Sequence, residues 1–292
     1  MVPESGPSGG GTSVLVSMAG SANGSFLQDD VLACVFDMGV GAAISDVAID
    51  VAAKWVDART VRCTVPPMNS DANATTVHVS VTANGGTVTS APASYAYFEE
   101  PNVKLVSPSS GSVVGGTLVA IRGTGFFDSP ASACRFGNSR VGDIIVTPHE
   151  VIDSTHMACR APSHAVGKVV VEVTMNGDSY TNSGATFEYH PTVTLTSVSP
   201  HMGPVSGNTV VEVYGSGFVD SPLLACRFGK LALVPAVFDT SSHVTCVTPA
   251  MAAGIQGVEV TTNGVDLSAN SLQFFVEAPP QVCRDTRNVH SG

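Results

Sequence analysis

The sequence predicts an all-β protein built from repeated sandwich units, and three observations support this. Glycine (29) and proline (18) are plentiful along the 292 residues, which suits many short strands joined by tight turns. Segments with the 3.6-residue apolar period of an amphipathic helix are nearly absent. The fifteen residues from Gly123 to Gly137 recur from Gly215 to Gly229 with eleven identities, so the chain contains an internal repeat of about one domain's length.

The third repeat shows the strand pattern most clearly. Residues 257–262 alternate valine with polar side chains, which is the two-residue period of a half-buried strand. Asn263-Gly264 follows, and Asn-Gly is the strongest short-range hairpin signal because both residues accept a positive φ. Other strands of this repeat are predicted at 191–200, 209–215, 226–229, 244–249 and 272–276.

The second repeat follows the same order, with its hairpin at Asn176-Gly177. The first repeat is more diverged, although Gly10-Gly11-Thr12 aligns with Gly115-Gly116-Thr117 and Asn84-Gly85 marks its hairpin. Because only a turn precedes Thr12, we expect the opening strand of the first repeat to be missing. Strands of the second repeat are predicted at 103–108, 117–123, 134–136, 156–162, 168–174 and 187–189.

The repeats imply three domains, at 1–100, 101–190 and 191–277, with 278–292 a linker or the start of a further domain. The two junctions contain no Gly/Ser spacer. Such a spacer would let the domains tumble independently. We therefore expect the three sandwiches to form an extended, semi-rigid string.

Composition excludes several classes of function. The net charge is −11, with 13 basic against 24 acidic residues, which argues against a nucleic-acid or anionic-membrane partner because such binding relies on Lys and Arg. No run of about 18 apolar residues is present, so no membrane span is expected. The N-terminus lacks the basic and apolar regions of a signal peptide. Since the cysteine placement nevertheless suggests oxidation, we interpret the sequence as a piece of a longer protein.

Motifs shared by the repeats resemble the IPT/TIG (immunoglobulin-like, plexin, transcription factor) family. They are the Gly-Gly-Thr turn, Gly-x-Gly-Phe, Cys-Arg-Phe-Gly, a Cys-x-x-Pro strand and the Asn-Gly pair. The resemblance covers most of the chain as three tandem copies. The repeats look most similar to those in large cell-surface proteins of algae and protists. It implies three immunoglobulin-like sandwiches, as in plexin and fibrocystin-like ectodomains. The family also includes a DNA-binding branch and domains attached to starch-acting enzymes, so the fold alone does not give the function.

Each repeat contains two cysteines, and one bridge within each domain is the simplest connectivity. Six cysteines allow fifteen pairings, but the repetition favours the one that recurs. Free buried thiols or a metal site are the alternatives, although no C-x-x-C or clustered Cys/His spacing is present. Persistent disulfides would place the protein outside the cytosol. The expected pairs are Cys34/Cys63, Cys134/Cys159 and Cys226/Cys246.

Three further positions carry predictions, two about glycosylation and one about an unpaired cysteine. Asn23 and Asn73 each begin an N-x-Ser/Thr sequon in a loop-like stretch of the first repeat, so each is a candidate N-glycosylation site. Cys283 follows the last repeat and has no partner in this sequence.

Candidate catalytic and metal motifs are weak, and we expect no catalytic, cofactor-binding or metal site. Gly6-Pro-Ser8-Gly-Gly10 matches G-x-S-x-G, but no helix follows as that chemistry requires. Asp128 and Asp220 recur in a loop where a calcium site is conceivable, but one carboxylate per loop is few for calcium, and a turn stabilised by Asp and Ser before proline is the preferred explanation. Arg135 and Arg227 recur beside a cysteine, and we interpret them as outward-facing strand residues.

The leading hypothesis is a non-enzymatic, extracellular or cell-surface structural and adhesive segment. Its partners would be proteins or glycans bound by sandwich faces and loops, with self-assembly into a fibre included. A plexin-like receptor stalk and the accessory domains of a carbohydrate-active enzyme are the alternatives. A DNA-binding role is disfavoured by the acidic charge.

Overall fold

The computed structural model describes residues 1–18, 25–37, 48–68, 75–85, 92–137, 144–146 and 148–278. Over these residues the regular structure consists of 25 strands and contains no helix, so the all-β prediction is confirmed. A helix able to cross a membrane is accordingly not found in the described ranges.

The chain divides into two compact units. The first comprises Met1–Ser107, Leu118–Pro162 and Val169–Phe187, and the second comprises Pro108–Thr117, Ser163–Lys168 and Glu188–Gly292. The second repeat therefore contributes segments to both units, whereas the first and third repeats each lie within one. The boundaries of the three domains expected from the sequence stay a prediction.

The first repeat is a two-sheet sandwich whose inward side chains form one core. Alternate residues of β3 and β7 are buried, as the two-residue period predicts. One sheet has the order β1-β8-β7-β3-β4 and the other β2-β6-β5, with β1 parallel to β8. The strands are β1 (Ser5–Pro7), β2 (Ser13–Ser17), β3 (Leu32–Asp37), β4 (Ala48–Ala52), β5 (Lys54–Asp57), β6 (Thr60–Thr64), β7 (Thr76–Ala83) and β8 (Ala93–Phe98).

The second repeat has the same plan, with one more strand in its smaller sheet over the residues that the structure describes. Its sheets have the orders β10-β17-β16-β12-β13 and β14-β15-β11-β9, and β10 runs parallel to β17. The strands are β9 (Asn102–Ser107), β10 (Ser110–Ser112), β11 (Leu118–Thr124), β12 (Ala133–Gly137), β13 (Ile144–Val146), β14 (Pro148–Asp153), β15 (His156–Arg160), β16 (Gly167–Thr174) and β17 (Thr186–His190).

In the third repeat one strand joins the two layers. β22 pairs with β21 through Pro235 and with β23 through Ala236, so the order is β18-β20-β23-β22-β21-β24-β25-β19. The parallel edge pair recurs between β19 and β25. The strands are β18 (Thr194–Ser199), β19 (Met202–Pro204), β20 (Val210–Ser216), β21 (Ala225–Phe228), β22 (Val234–Thr240), β23 (His243–Val247), β24 (Gly254–Thr261) and β25 (Leu272–Glu277).

The smaller sheet of the first repeat is narrower than its counterparts. β11 has β15 on one side and β9 on the other, and β20 is likewise flanked by β23 and β18. In the described part of the first repeat, β2 pairs with β6 and its other edge makes a single bridge, from Leu15 to Val2.

The Asn-Gly pairs of the second and third repeats do not close two-residue hairpins as the sequence predicted, and the residues that follow Asn84-Gly85 lie outside the described ranges. Residues 175–185 separate β16 from β17, and residues 262–271 separate β24 from β25. In these two pairs only the glycine, Gly177 or Gly264, has a positive φ, at 78° and 77°, whereas in the first repeat both Asn84 and Gly85 do, at 54° and 66°. The asparagines instead use their side chains to shape longer loops, and these loops form the candidate site.

Candidate functional site

One disulfide joins the two sheets in each repeat. The Cα atoms of the three pairs lie 6.3, 6.6 and 6.3 Å apart, within the normal range for a disulfide, and every one of these cysteines is at most 1% exposed. The bonded pairs are Cys34–Cys63, Cys134–Cys159 and Cys226–Cys246.

Other residues singled out in the sequence are not gathered into a site. Cys283, Asn23 and Asn73 lie outside the described residues. No group of three or more His, Cys, Asp or Glu side chains within the described ranges could hold a metal ion around Asp128, Asp220 or elsewhere. In both of those loops the serine after the aspartate accepts a backbone hydrogen bond two residues on and shapes the turn.

Arg135 and Arg227 are the less buried residues between the cysteine and the phenylalanine of their strands, and each forms an ion pair with the glutamate opposite it on the next strand. Arg135 Nε donates to Glu172 Oε2 over 3.0 Å, and the two side chains are 19% and 10% exposed. Arg227 Nε donates to Glu259 Oε2 over 3.0 Å at 35% and 22% exposure. The Arg135 guanidinium also lies 4.0 Å from the Tyr180 ring centroid, within cation–π range. The recurring Arg and the recurring Glu were both visible in the sequence, but only strand register shows that they pair.

Asn176 organises the loop after β16. Its Oδ1 accepts hydrogen bonds from Thr174 Oγ1 (3.0 Å), the Asp178 amide (3.1 Å) and the Ser179 amide (2.9 Å). This is the local capping geometry that asparagine favours in turns. The Nδ2 group points the other way and donates to the carbonyl oxygen of Ser5 over 3.0 Å.

Two further contacts link this loop to the first repeat, and both lie within the first compact unit. Asp178 Oδ2 accepts from the Ser13 amide over 2.9 Å, and the hydroxyls of Thr12 and Ser179 lie 2.8 Å apart. Thr12 is completely buried. Burial raises the pKa of Tyr95, in the first repeat, to about 12, and the negative charge of Asp178 raises it as well.

An equivalent contact occurs within the second compact unit. Asn263 Nδ2 donates to the Ser110 carbonyl over 2.8 Å, as Asn176 does to Ser5. Asp266 Oδ2 accepts from Thr117 Oγ1 over 2.5 Å, and Thr117 is 1% exposed. We call residues 176–179 and 263–266 docking loops. We call the surfaces that receive them sockets, formed by β1 with the turn to Thr12 and by β10 with the turn to Thr117.

The Gly-x-Gly-Phe motif packs against the chain that leads into the second and third repeats. Gly125 has a φ of 74°, and a Cβ there would lie 3.1 Å from the Glu99 carbonyl oxygen. At Gly217 (φ 81°) a Cβ would lie 2.6 Å from the Thr192 carbonyl oxygen. At the first of these places Phe98 and Phe127 also meet edge to face, with ring centroids 5.1 Å apart. The motif thus lets the backbone pass close to the junction, which only glycine allows.

The sequence matches known proteins in two segments. The family model of the IPT/TIG domain matches residues 101–189 and 193–276. These are the second and third repeats, and together they make up more than half of the chain. Human fibrocystin-L is 28% identical over 171 residues, which are 58% of this chain and 4% of that protein. Dog fibrocystin is 24% identical over 184 residues, which are 61% of this chain and 4% of that protein. The chain therefore spans a small fraction of the length of these relatives.

The solved structures to which this chain is similar superpose on it with low TM-scores. The extracellular region of plexin A4, domains 1 to 10, aligns with 94% of this chain and 28% of its own at 15% identity and a TM-score of 0.38. The domain matches do not depend on that superposition. On their extent, this chain belongs to the IPT/TIG domain family.

Proposed function

We propose that the chain is a non-enzymatic structural segment of a larger extracellular or cell-surface protein. Docking loops hold its disulfide-bonded sandwiches in register, and the remaining faces and loops are presented to protein or glycan partners. The observation that carries this proposal is the recurrence of one contact, an asparagine amide on the carbonyl of the preceding repeat, at both Ser5 and Ser110. A repeated contact between modules is what a spacer requires, whereas a catalytic site requires no such repetition.

Two features support an extracellular location. Each repeat contains a disulfide, and structural disulfides persist outside the cytosol. The matched relatives are fibrocystins, in which the aligned segment is a small part of a long protein. Glycosylation at Asn23 or Asn73 would be consistent with this location.

We further propose three modules with boundaries at 1–100, 101–190 and 191–277, the first being a diverged IPT/TIG domain. It shares with the other two the parallel edge pair, here β1 with β8, and a disulfide between its sheets. It also has a socket of the same construction.

The first experiment loosens the docking contacts. Asn176→Ala with Asp178→Ala removes the hydrogen bonds to Ser5 and Ser13, and we expect wider sampling of the angle between the first two repeats. Small-angle scattering and residual dipolar couplings would measure this, with Asn84→Ala as the matched control because that asparagine bonds within its own repeat. Unchanged couplings in the double variant would show that the loop does not hold the repeats.

A second experiment addresses the partner-binding face. Val210 and Val247 are cross-strand neighbours on the outer side of the third repeat and are 57% and 48% exposed, and Val237 nearby is 63% exposed. Exposed apolar groups that cluster in this way are typical of interaction surfaces. We expect Val210→Asp with Val247→Asp to weaken binding to a glycan array, to a captured protein partner or to other copies of the chain. Retained binding in the folded variant would assign the partners to another face.

A further inference from the structure

The third repeat contains the same socket as the first two. In its edge pair Met202 lies opposite Phe275, the register position that Ser5 and Ser110 occupy in their repeats. The neighbouring turn is also the same. The Asn208 amide donates to the Thr248 carbonyl over 2.8 Å and the Thr248 amide to the Thr209 carbonyl over 2.9 Å.

The first repeat forms the matching pair of bonds with identical lengths. The Gly11 amide donates to the Val65 carbonyl over 2.8 Å, and the Val65 amide donates to the Thr12 carbonyl over 2.9 Å. The backbone of the third socket therefore has the conformation of an occupied one. It needs no rearrangement before binding, which lowers the cost of association.

The threonine of the third socket differs from its equivalents in burial. Thr12 and Thr117 are 0% and 1% exposed, and each hydroxyl bonds to a docking loop. Thr209 is only partly buried, and its hydroxyl makes no side-chain hydrogen bond to another described residue. The third socket is thus formed but not filled by the described part of the chain.

A second copy of this chain does not supply a suitable loop from its described residues. The amides of Asn176 and Asn263 already donate to Ser5 and Ser110. The amide of Asn84 donates to Asp30 of its own repeat over 2.8 Å. The occupant must therefore bring a docking loop of its own.

We propose that the third socket binds the docking loop of a further IPT/TIG module, joined to the third repeat as the third is joined to the second. The required loop has Asn-Gly with an aspartate two or three residues after the asparagine, as in Asn176/Asp178 and Asn263/Asp266. Its amide would bind the Met202 carbonyl and its aspartate the Thr209 hydroxyl. This inference rests on the proposed spacer function and extends it to a specific recognition rule.

The test extends the chain with a second copy of residues 191–277 placed directly after Glu277. Hydrogen–deuterium exchange of the segment 202–210 is compared between the parent chain and the extended chain. One buried hydrogen bond of about 1 kcal/mol corresponds to a factor of about five, so we expect exchange to slow by about fivefold or more. The matched control carries Asn263→Ala and Asp266→Ala in the added copy alone and should return segment 202–210 to the parent rate.

A second extension uses a copy of residues 101–190 and guards against misfolding of the first. Its loop has the shorter Asn-Gly-Asp spacing, and we expect the same protection of segment 202–210. Folding of either extension is checked by its own disulfide and by slow exchange of its core strands.

Three outcomes would overturn the proposal. A folded extension that leaves segment 202–210 exchanging at the parent rate would show that the socket does not recognise the loop. Protection that survives Asn263→Ala with Asp266→Ala in the added copy would show that other contacts are responsible. Protection of the parent chain at high concentration would make a second copy the occupant. The proposed spacer function is tested separately, by the Asn176→Ala with Asp178→Ala variant of the parent chain.

Discussion

The first and second repeats share a core but use their Asn-Gly loops differently. In the second repeat the Asn176 amide leaves its own domain and binds the Ser5 carbonyl. In the first repeat the Asn84 amide binds Asp30 over 2.8 Å, and its Oδ1 accepts from the Val31 amide over 2.9 Å. The same dipeptide therefore closes a domain in one place and links two domains in the other. The amide of Asn263 does both, because it donates to Asp266 of its own loop and to the Ser110 carbonyl of the preceding repeat, each over 2.8 Å.

The two repeats also differ where strands pair. Val35 and Ser80 lie opposite each other in the first repeat, at the position that the Arg135–Glu172 ion pair occupies in the second. The disulfide, by contrast, is present in both. The core disulfide is thus kept constant between the first two repeats, while the outward cross-strand pair differs. The two contacts can therefore be compared for their contributions to stability.

Removing the disulfides should produce the largest effect and would sharpen this comparison. Cys34→Ala with Cys63→Ala, and Cys134→Ala with Cys159→Ala, should each lower the free energy of unfolding by about 3 kcal/mol, because each opens a loop of 29 or 25 residues. The first variant should melt at the lower temperature, since β2 has fewer strand neighbours than β11. Differential scanning calorimetry would measure both, and equal melting temperatures would contradict the importance of sheet width.

Breaking the ion pair of the second repeat should have the next largest effect. Glu172→Ala leaves the Arg135 guanidinium partly buried without its partner, at a cost of about 2 kcal/mol. Glu259→Ala should cost about 1 kcal/mol because that pair is more exposed. Ser80→Ala in the first repeat is the matched control and should change the urea midpoint little. An equal loss in all three variants would remove this distinction between the repeats.

The turn beside the socket gives a prediction based on backbone space. A Cβ at Gly10 would lie 2.6 Å from the backbone of Pro66, whereas at Gly11 it would meet nothing within 4 Å. The third repeat already has Asn208, at a φ of 58°, in the position equivalent to Gly11. Gly11→Asn should therefore cost less than about 0.5 kcal/mol, since asparagine tolerates this φ. Gly10→Asn should cost about 2 kcal/mol or more. Thermal denaturation of the two variants would test this, and equal losses would contradict it.

The smallest expected effect is the pH dependence of Asp153. Hydrogen bonds from the Thr155 hydroxyl and amide, with a further one from His156, lower the pKa of Asp153 from 3.8 to about 2. The carboxylate therefore stabilises the folded state above about pH 4, and this contribution is lost as the pH falls towards 2. Asp153→Asn should be slightly less stable at pH 6 and indistinguishable at pH 2. A difference that persists at pH 2 would contradict this cause.

Strands with strict alternation were predictable from the sequence, and the edge strands were not. The alternating valines at 169, 171 and 173 in β16 and at 258 and 260 in β24 lie in strands as the pattern indicates, although β24 begins three residues earlier than predicted, at Gly254. β10 reads Ser-Gly-Ser and lacks any strand-forming side chain, yet it is a strand because it pairs with β17, more than 70 residues later. Its structure depends on a distant partner that no local window contains.

The docking contacts were only half predictable. Asn176 and Asn263 stood out as turn residues, and the aspartates Asp178 and Asp266 were visible beside them. The acceptor, however, is a main-chain carbonyl, and a carbonyl has no signature in an amino-acid sequence. Likewise, the alternation that gave Arg135 and Glu172 an outward direction did not give the register that pairs them.

The choice of a peptide carbonyl as acceptor has an evolutionary consequence. Every residue offers the same oxygen, so the position can hold serine at Ser5 and Ser110 or methionine at Met202 without altering what the incoming asparagine meets. A newly duplicated module that keeps its own loop can therefore form this bond with any preceding module, and the other socket contact needs only the threonine found at Thr12, Thr117 and Thr209. Long arrays can grow by copying, with no need for matched mutations on the older side of each new joint.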